Sequence, residues 1–178
     1  MEIIDTEFND LFVIEYKTFT DHRGEFVKTI HKELFVEKNL NWSFEESFFS
    51  ISNKNVFRGM HFQYAPHDHD KLVYVVKGKI LDIVVDLRSI SPTYGKYLKI
   101  ELSEDNRKAL YMGKGFAHGF LSLEENTIVE YHTSTMQNKE SEGGINWDSV
   151  GFTLPIKDVI ISKRDSDFLP FDINKKYF

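Results

Sequence analysis

From residue 11 to residue 133 the chain repeats one local pattern: short runs rich in Val, Ile, Phe and Tyr, each ended by Gly, Asn, Asp or Pro. Runs of this kind at intervals of about 8–12 residues predict short strands joined by turns, and hence an all-β sandwich or barrel. Strands are expected over residues 11–16, 26–30, 44–52, 72–76, 80–87, 96–102 and 127–133. Asp21 to Gly24 and Asn53-Lys54-Asn55 carry turn chemistry, and Lys77-Gly78 between two Val- and Ile-rich runs reads as the turn of a hairpin. Residues 31–39 are the one helix candidate. With no internal repeat or low-complexity linker, residues 1–178 are expected to form a single domain, and 41% hydrophobic with 15% aromatic residues supply its core.

Composition removes several functions. A net charge of −6 argues against binding nucleic acid, because phosphate-backbone affinity rests on clustered Lys and Arg. With no cysteine there is no disulfide, thiolate nucleophile or zinc-thiolate site. The first residues, Met1-Glu2-Ile3-Ile4-Asp5, lack the basic-then-apolar order of a signal peptide, and no apolar run is long enough to span a membrane. The expectation is a cytoplasmic protein with no membrane partner.

Chemistry is concentrated where Arg58, His61, Gln63, His67, His69 and Lys71 fall within fourteen positions. Two readings compete over it. His67-Asp68-His69 has the H-x-H form that, with His118, offers three nitrogen ligands to a metal, as in metal-binding cupins. Lys71, however, stands near where that pattern requires a glutamate, and a cation beside a metal is electrostatically unhelpful. The other reading needs no metal and no cofactor. A histidine titrating near neutrality accepts a proton, so His61 is the candidate base, and Lys71 is placed to hold the negative charge that develops on a substrate oxygen. Two glycines before His118, in Gly113-Lys114-Gly115, suggest a tight bend that delivers that imidazole to a fixed place.

Five segments in order, Arg58-Gly59-Met60-His61-Phe62-Gln63, Asp70-Lys71-Leu72-Val73, the run from Gly78 to Arg88, Ser91-Pro92-Thr93-Tyr94-Gly95 and Gly115-Phe116-Ala117-His118-Gly119-Phe120, resemble the successive motifs of the dTDP-4-dehydrorhamnose 3,5-epimerase family. Asp21 to Phe26 upstream, with Gly144 to Trp147 and Ser162-Lys163-Arg164-Asp165 downstream, extend the resemblance over nearly the whole chain. It implies a cupin-type β-barrel (jelly roll) with short peripheral helices, a homodimer without a metal, acting on a nucleotide-diphosphate-linked 4-keto-6-deoxyhexose in deoxysugar and surface-polysaccharide biosynthesis. By resemblance His61 is the base, Asp165 its partner and Lys71 the stabiliser of the enolate at the C4 oxygen. Arg58, Gln63, His118 and Tyr131 are expected to line the substrate site. Arg23 and Phe26 match the motif that holds the nucleotide, in part across the dimer.

The departures set the finer expectations. Met136 and Gln137 stand where the family's tyrosine pair is expected, so the usual donor to the face opposite the histidine is absent from those positions; water or another side chain such as Tyr131 must fill the gap. Epimerisation at C3 alone is therefore expected, with the full 3,5-epimerase as the alternative. A 3,4-ketoisomerase and a noncatalytic nucleotide-sugar-binding barrel are further alternatives. Glu46 and Phe48 replace a Gln-x-Asn pattern that contacts the ligand, which leaves dTDP, CDP and GDP sugars all open.

Overall fold

The computed structural model describes all 178 residues, Met1–Phe178. In chain order the elements are β1 (Glu2–Asp5), β2 (Leu11–Glu15), β3 (Thr18–Asp21), β4 (Gly24–Val27), α1 (Lys32–Glu37), β5 (Glu46–Ser52), β6 (Val56–Gln63) and β7 (Lys71–Lys77). They continue with β8 (Lys79–Asp86), β9 (Tyr97–Ser103), β10 (Lys108–Met112), β11 (Phe116–Ser122), β12 (Thr127–Thr133), β13 (Glu142–Gly144), β14 (Ile160–Ile161) and α2 (Lys163–Ser166). One sheet runs β1-β2-β10-β7-β12-β5 and the other β13-β6-β11-β8-β9, with β14 added in parallel to β6. Two sheets face to face make the jelly-roll barrel of the cupin class.

Side-chain alternation decides what each strand presents to the space between the sheets. On β8, Ile80 and Val84 join the inter-sheet core while Ile83, Val85 and Leu87 pack on the outer face. Asp82 shares the inward parity of Ile80 and Val84. β11 presents Phe116 and Phe120 inward and Ala117 and Leu121 outward, which puts His118 inside. From the other sheet, Val73 and Val75 of β7 and Val129 and Tyr131 of β12 complete that core. Both sheets are also covered outside. Phe35 of α1 and Leu40 lie over Ile14, Leu72, Ala109 and Tyr111, and Phe152, Tyr177 and Phe178 lie over β6 and β8. Strands buried on two faces read as continuous apolar runs, which explains the composition of 80–87.

The structure corrects some of these expectations. β7 and β8 do not form a hairpin: β7 pairs with β10 and β12, and β8 with β9 and β11. The Lys77-Gly78 turn is a corner that carries the chain between sheets, and Gly78, at φ +81°, has no room for a Cβ, which would meet Thr127 Oγ1 at 2.6 Å. The bend at Gly113 to Gly115 is present, with Gly115 at φ +86°; it joins β10 to β11, in which His118 sits mid-strand. Residues 26–30 are not one strand; β4 ends at Val27 and pairs with β3 as a separate two-stranded ribbon. The segment after residue 160 is docked on the barrel by β14, Phe168 and Phe171. α1 and α2 are the short peripheral helices, and α1 is shorter than the 31–39 span.

Candidate active site

A cavity of about 980 Å³ opens between the sheets, walled on one side by β6 and β11 and on the other by β5, β7 and β12. Arg58 and His61 both line it although three residues apart, a spacing that would place them on opposite faces of a regular strand. A bulge resolves this: His61 pairs with His118 and Arg58 with Phe120, so β6 has one more residue than β11 across that interval. Gly59, at φ +132°, makes the bulge, and a Cβ there would stand 2.5 Å from Gly119 Cα.

His61 Nε2 lies 2.8 Å from Asp165 Oδ1, and the other carboxylate oxygen accepts the Gly59 N–H at 3.0 Å. Asp165 is delivered by the start of α2, where Ser162 Oγ caps its N–H at 3.1 Å. Burial alone would raise the Asp165 carboxyl, but His61, the Gly59 amide and Arg164 hold it down at about 2. His61 is lowered from its ordinary 6.5, chiefly by burial and further by Arg164 and Lys71, against the opposing pull of Asp165. An anion beside a neutral imidazole is the arrangement of a general base. Nδ1 of His61 has no partner in the protein and is not sealed from solvent, so it is the nitrogen offered to a ligand.

Deeper in, His118 Nε2 is 2.8 Å from Asp82 Oδ2, both side chains being buried, while Asp82 Oδ1 has no partner. Lys71 Nζ bonds to no protein group, and burial pushes it down to about 8, with Asp82 opposing. His69 is pushed down to about 3 by burial and by Lys71, Lys114 and His118. The deep end thus holds a cation with unused N–H donors, the requirement for stabilising an oxyanion.

On the facing wall Tyr131 projects from β12, its hydroxyl 3.1 Å from Ser50 Oγ and its ring stacked on Phe48 at 4.8 Å. Burial raises the phenol above its ordinary range, which keeps it protonated and able to donate. This bears on the missing donor. Met136 is exposed and outside the cavity lining, and Gln137 is spent on Glu46 through its backbone N–H and on Glu142 through its amide. The phenol that faces His61 is Tyr131, on a strand the sequence does place.

The remaining expected residues divide. Arg58 lines the cavity, its guanidinium held by Ser52 Oγ at 2.9 Å and Ile51 O at 3.2 Å without a carboxylate partner. Gln63 lines it but is committed elsewhere, donating to His67 O and accepting from Asn138 N–H, so it braces two loops rather than offering its amide to a substrate. His67 contacts Asn138 and His69 contacts Gln63. Glu46 and Phe48 both line the cavity. Arg23 and Phe26 do not: they are exposed on the β3–β4 ribbon, where Arg23 pairs with Asp21 at 2.6 Å. Reading the sequence alone misses Asp82, Ser50, Glu142 and Arg164. Asp82 has a signal, a carboxylate at inward parity in an apolar strand; Arg164 has one in its position next to Asp165.

An imidazole–carboxylate pair and a phenol on opposing sheets of a cupin-type barrel fit the class of epimerases. The chain belongs to the dTDP-4-dehydrorhamnose 3,5-epimerase family, whose sequence profile matches residues 5–172. The dTDP-4-dehydrorhamnose 3,5-epimerase of Methanothermobacter thermautotrophicus is 37% identical, over 98% of this chain and 96% of its own. A crystal structure of the enzyme so named from Elizabethkingia anophelis superposes with a TM-score of 0.92 at 34% identity, covering 99% of both chains. The Bacillus anthracis dTDP-4-dehydrorhamnose 3,5-epimerase, solved with TDP and PPi bound, gives 0.92 at 33% identity, over 96% of this chain and 99% of its own.

Proposed function

We propose that this chain inverts both C3 and C5 of a dTDP-linked 4-keto-6-deoxyhexose. The observation that carries this reading is the placement of His61 and Tyr131 on opposing walls of one cavity. A 4-keto group acidifies the hydrogens at C3 and C5. His61 Nδ1 takes the proton from one face, and Asp165 stabilises the imidazolium that forms. Lys71 holds the enolate oxygen, and Tyr131 returns a proton to the other face. Inversion requires this two-sided supply. The expectation of C3-only inversion rested on a missing opposite-face donor, and Tyr131 removes that reason. Relatives named as 3,5-epimerases support the two-centre reading, and the TDP bound in the Bacillus structure supports the nucleotide.

Arg58 serves the diphosphate. Arg23 and Phe26 serve the nucleotide of a second copy in a homodimer, which accounts for an exposed aromatic ribbon remote from its own cavity. The edge strand β5 exposes Phe49 and Ile51 as a dimer seam.

The test is incubation with dTDP-4-keto-6-deoxyglucose in deuterated water, reduction of the ketone and NMR of the sugar. Deuterium and inversion at both C3 and C5 are expected. Inversion at C3 alone restores the narrower reaction; movement of the carbonyl means a ketoisomerase; no exchange at either carbon overturns the catalytic reading.

A further inference from the structure

Arg164 has no part in the chemistry above, yet its guanidinium is bonded into the centre of it. Nη2 lies 2.8 Å from His61 Nε2, Nε is 3.2 Å from Asp165 Oδ1, and Nη1 is 3.3 Å from Glu142 Oε2. His61 Nε2 is therefore at hydrogen-bond distance from a carboxylate and a guanidinium at once. One imidazole nitrogen cannot serve both. With a proton on Nε2 it donates to Asp165 and faces Arg164 N–H against N–H; without that proton it accepts from Arg164, which only donates, and faces Asp165 lone pair against lone pair.

The two arrangements differ in what remains at the cavity. In a neutral imidazole the proton absent from Nε2 is on Nδ1. The Asp165-bonded tautomer leaves Nδ1 bare, a base directed at substrate. The Arg164-bonded tautomer caps Nδ1 with hydrogen, and His61 is then no base at all. The choice is set by where the guanidinium sits. The Arg164 side chain is about half exposed at the cavity lining, and beyond His61 and Asp165 it is held only by the partly exposed Glu142 and the face of Phe168.

We propose that Arg164 is a positioning residue that acts as a latch on the His61 tautomer, opened when an anionic diphosphate enters the cavity and draws the guanidinium off Nε2. This rests on the function proposed above. On release, one proton passes from Nδ1 to water and one from water to Nε2; the imidazole keeps its charge, Nε2–H donates to Asp165, and Nδ1 is freed for C–H abstraction. Asp165 and Arg164 meet His61 from α2, Lys71 stands across the cavity on β7, Glu142 reaches it only through Arg164, and the Phe168 ring packs edge-on with its centroid 5.8 Å away. Among these groups Arg164 alone competes for Nε2. An empty site is held partly off, and the ligand that needs the base turns it on.

The experiment is imidazole nitrogen NMR on the full chain labelled with nitrogen-15, above the titration range of His61, with its signals assigned by His61→Asn. The probe is dTDP. In the empty parent protein, His61 Nδ1 is expected to show pyrrole-like, protonated character, moving to a pyridine-like position as dTDP saturates. In Arg164→Met, which keeps the aliphatic stem, Nδ1 is expected to be pyridine-like from the start and not to move. Arg164→Ala gives the same result if Met packs poorly. A parent whose His61 tautomer matches Arg164→Met, or does not respond to saturating dTDP, overturns the latch. The deuterium exchange described above is read separately: exchange with a ligand-insensitive tautomer defeats the latch alone, whereas no exchange defeats the catalytic reading.

Discussion

The two walls of the cavity solve opposite electrostatic problems. On the β6 wall His61 is set among charges, with Asp165 at 2.8 Å, Arg164 at 2.8 Å and Lys71 facing it. On the β12 wall Tyr131 has a neutral hydroxyl, that of Ser50, and a stacked ring, that of Phe48. A base must be neutral before reaction and cationic after it, so it needs a carboxylate held ionised beside it. An acid that starts neutral needs only to stay protonated, and burial does that without a charge. The difference teaches that the proton-accepting wall depends on a network and the proton-donating wall on desolvation, and the two should respond differently to substitution.

The largest effect is expected on the charged wall. His61→Ala should lower epimerisation on the order of 10³-fold, measured by solvent deuterium incorporation, because no other base lines that side at the same place. Across the cavity on β7, Lys71→Met should cost about 10²-fold in kcat, the usual scale for losing one oxyanion donor. The pH profile sharpens both. His61, held below 6.5 by burial with Arg164 and Lys71, must be unprotonated to act, so activity should fall with acid only below that value. Lys71 must be protonated, and with burial bringing it to about 8 the ammonium is lost as pH rises through that value. The predicted bell should lose its alkaline limb in Lys71→Met.

Away from both walls, Arg23→Ala should raise KM roughly tenfold with little change in kcat, the scale of one charge-assisted hydrogen bond lost from the nucleotide. Steady-state kinetics separates that from a catalytic defect. The smallest effect belongs to the neutral wall's support. Ser50→Ala removes one hydrogen bond of about 1 kcal/mol from Tyr131 and should slow inversion about fivefold. A larger loss there would mean that the phenol depends on its hydroxyl partner and not on burial.

Much of the charged machinery was legible because its chemistry is contiguous in sequence. Arg58 and His61 share one motif, Lys71 follows closely, and the resemblance supplied Asp165 and the jelly roll together. What periodicity could not show is which sheet a strand joins. Tyr131 stood in a strand expected over 127–133, but only the register of β12 against β5 and β7 puts its phenol opposite His61. Attention to Met136 and Gln137 followed from where the family's tyrosine pair is expected along the chain, and a position along the chain carries no information about a facing wall. The Lys77-Gly78 turn has the same chemistry whether it closes a hairpin or turns a corner between sheets. Gln63 looked like a ligand group because the loops that consume its amide, around His67 and Asn138, are distant in sequence. The hidden bulge at Gly59 is the reason that an odd spacing works.

The most direct measurement of the two-wall account is Tyr131→Phe, with the substrate in deuterated water and the C3 and C5 centres followed by NMR. Deuterium should still enter from the His61 side with retention of configuration, while inversion falls at least ~10²-fold. Inversion at the rate of the parent protein would mean that the proton on the far face comes from elsewhere, and the pairing of the two walls would be wrong.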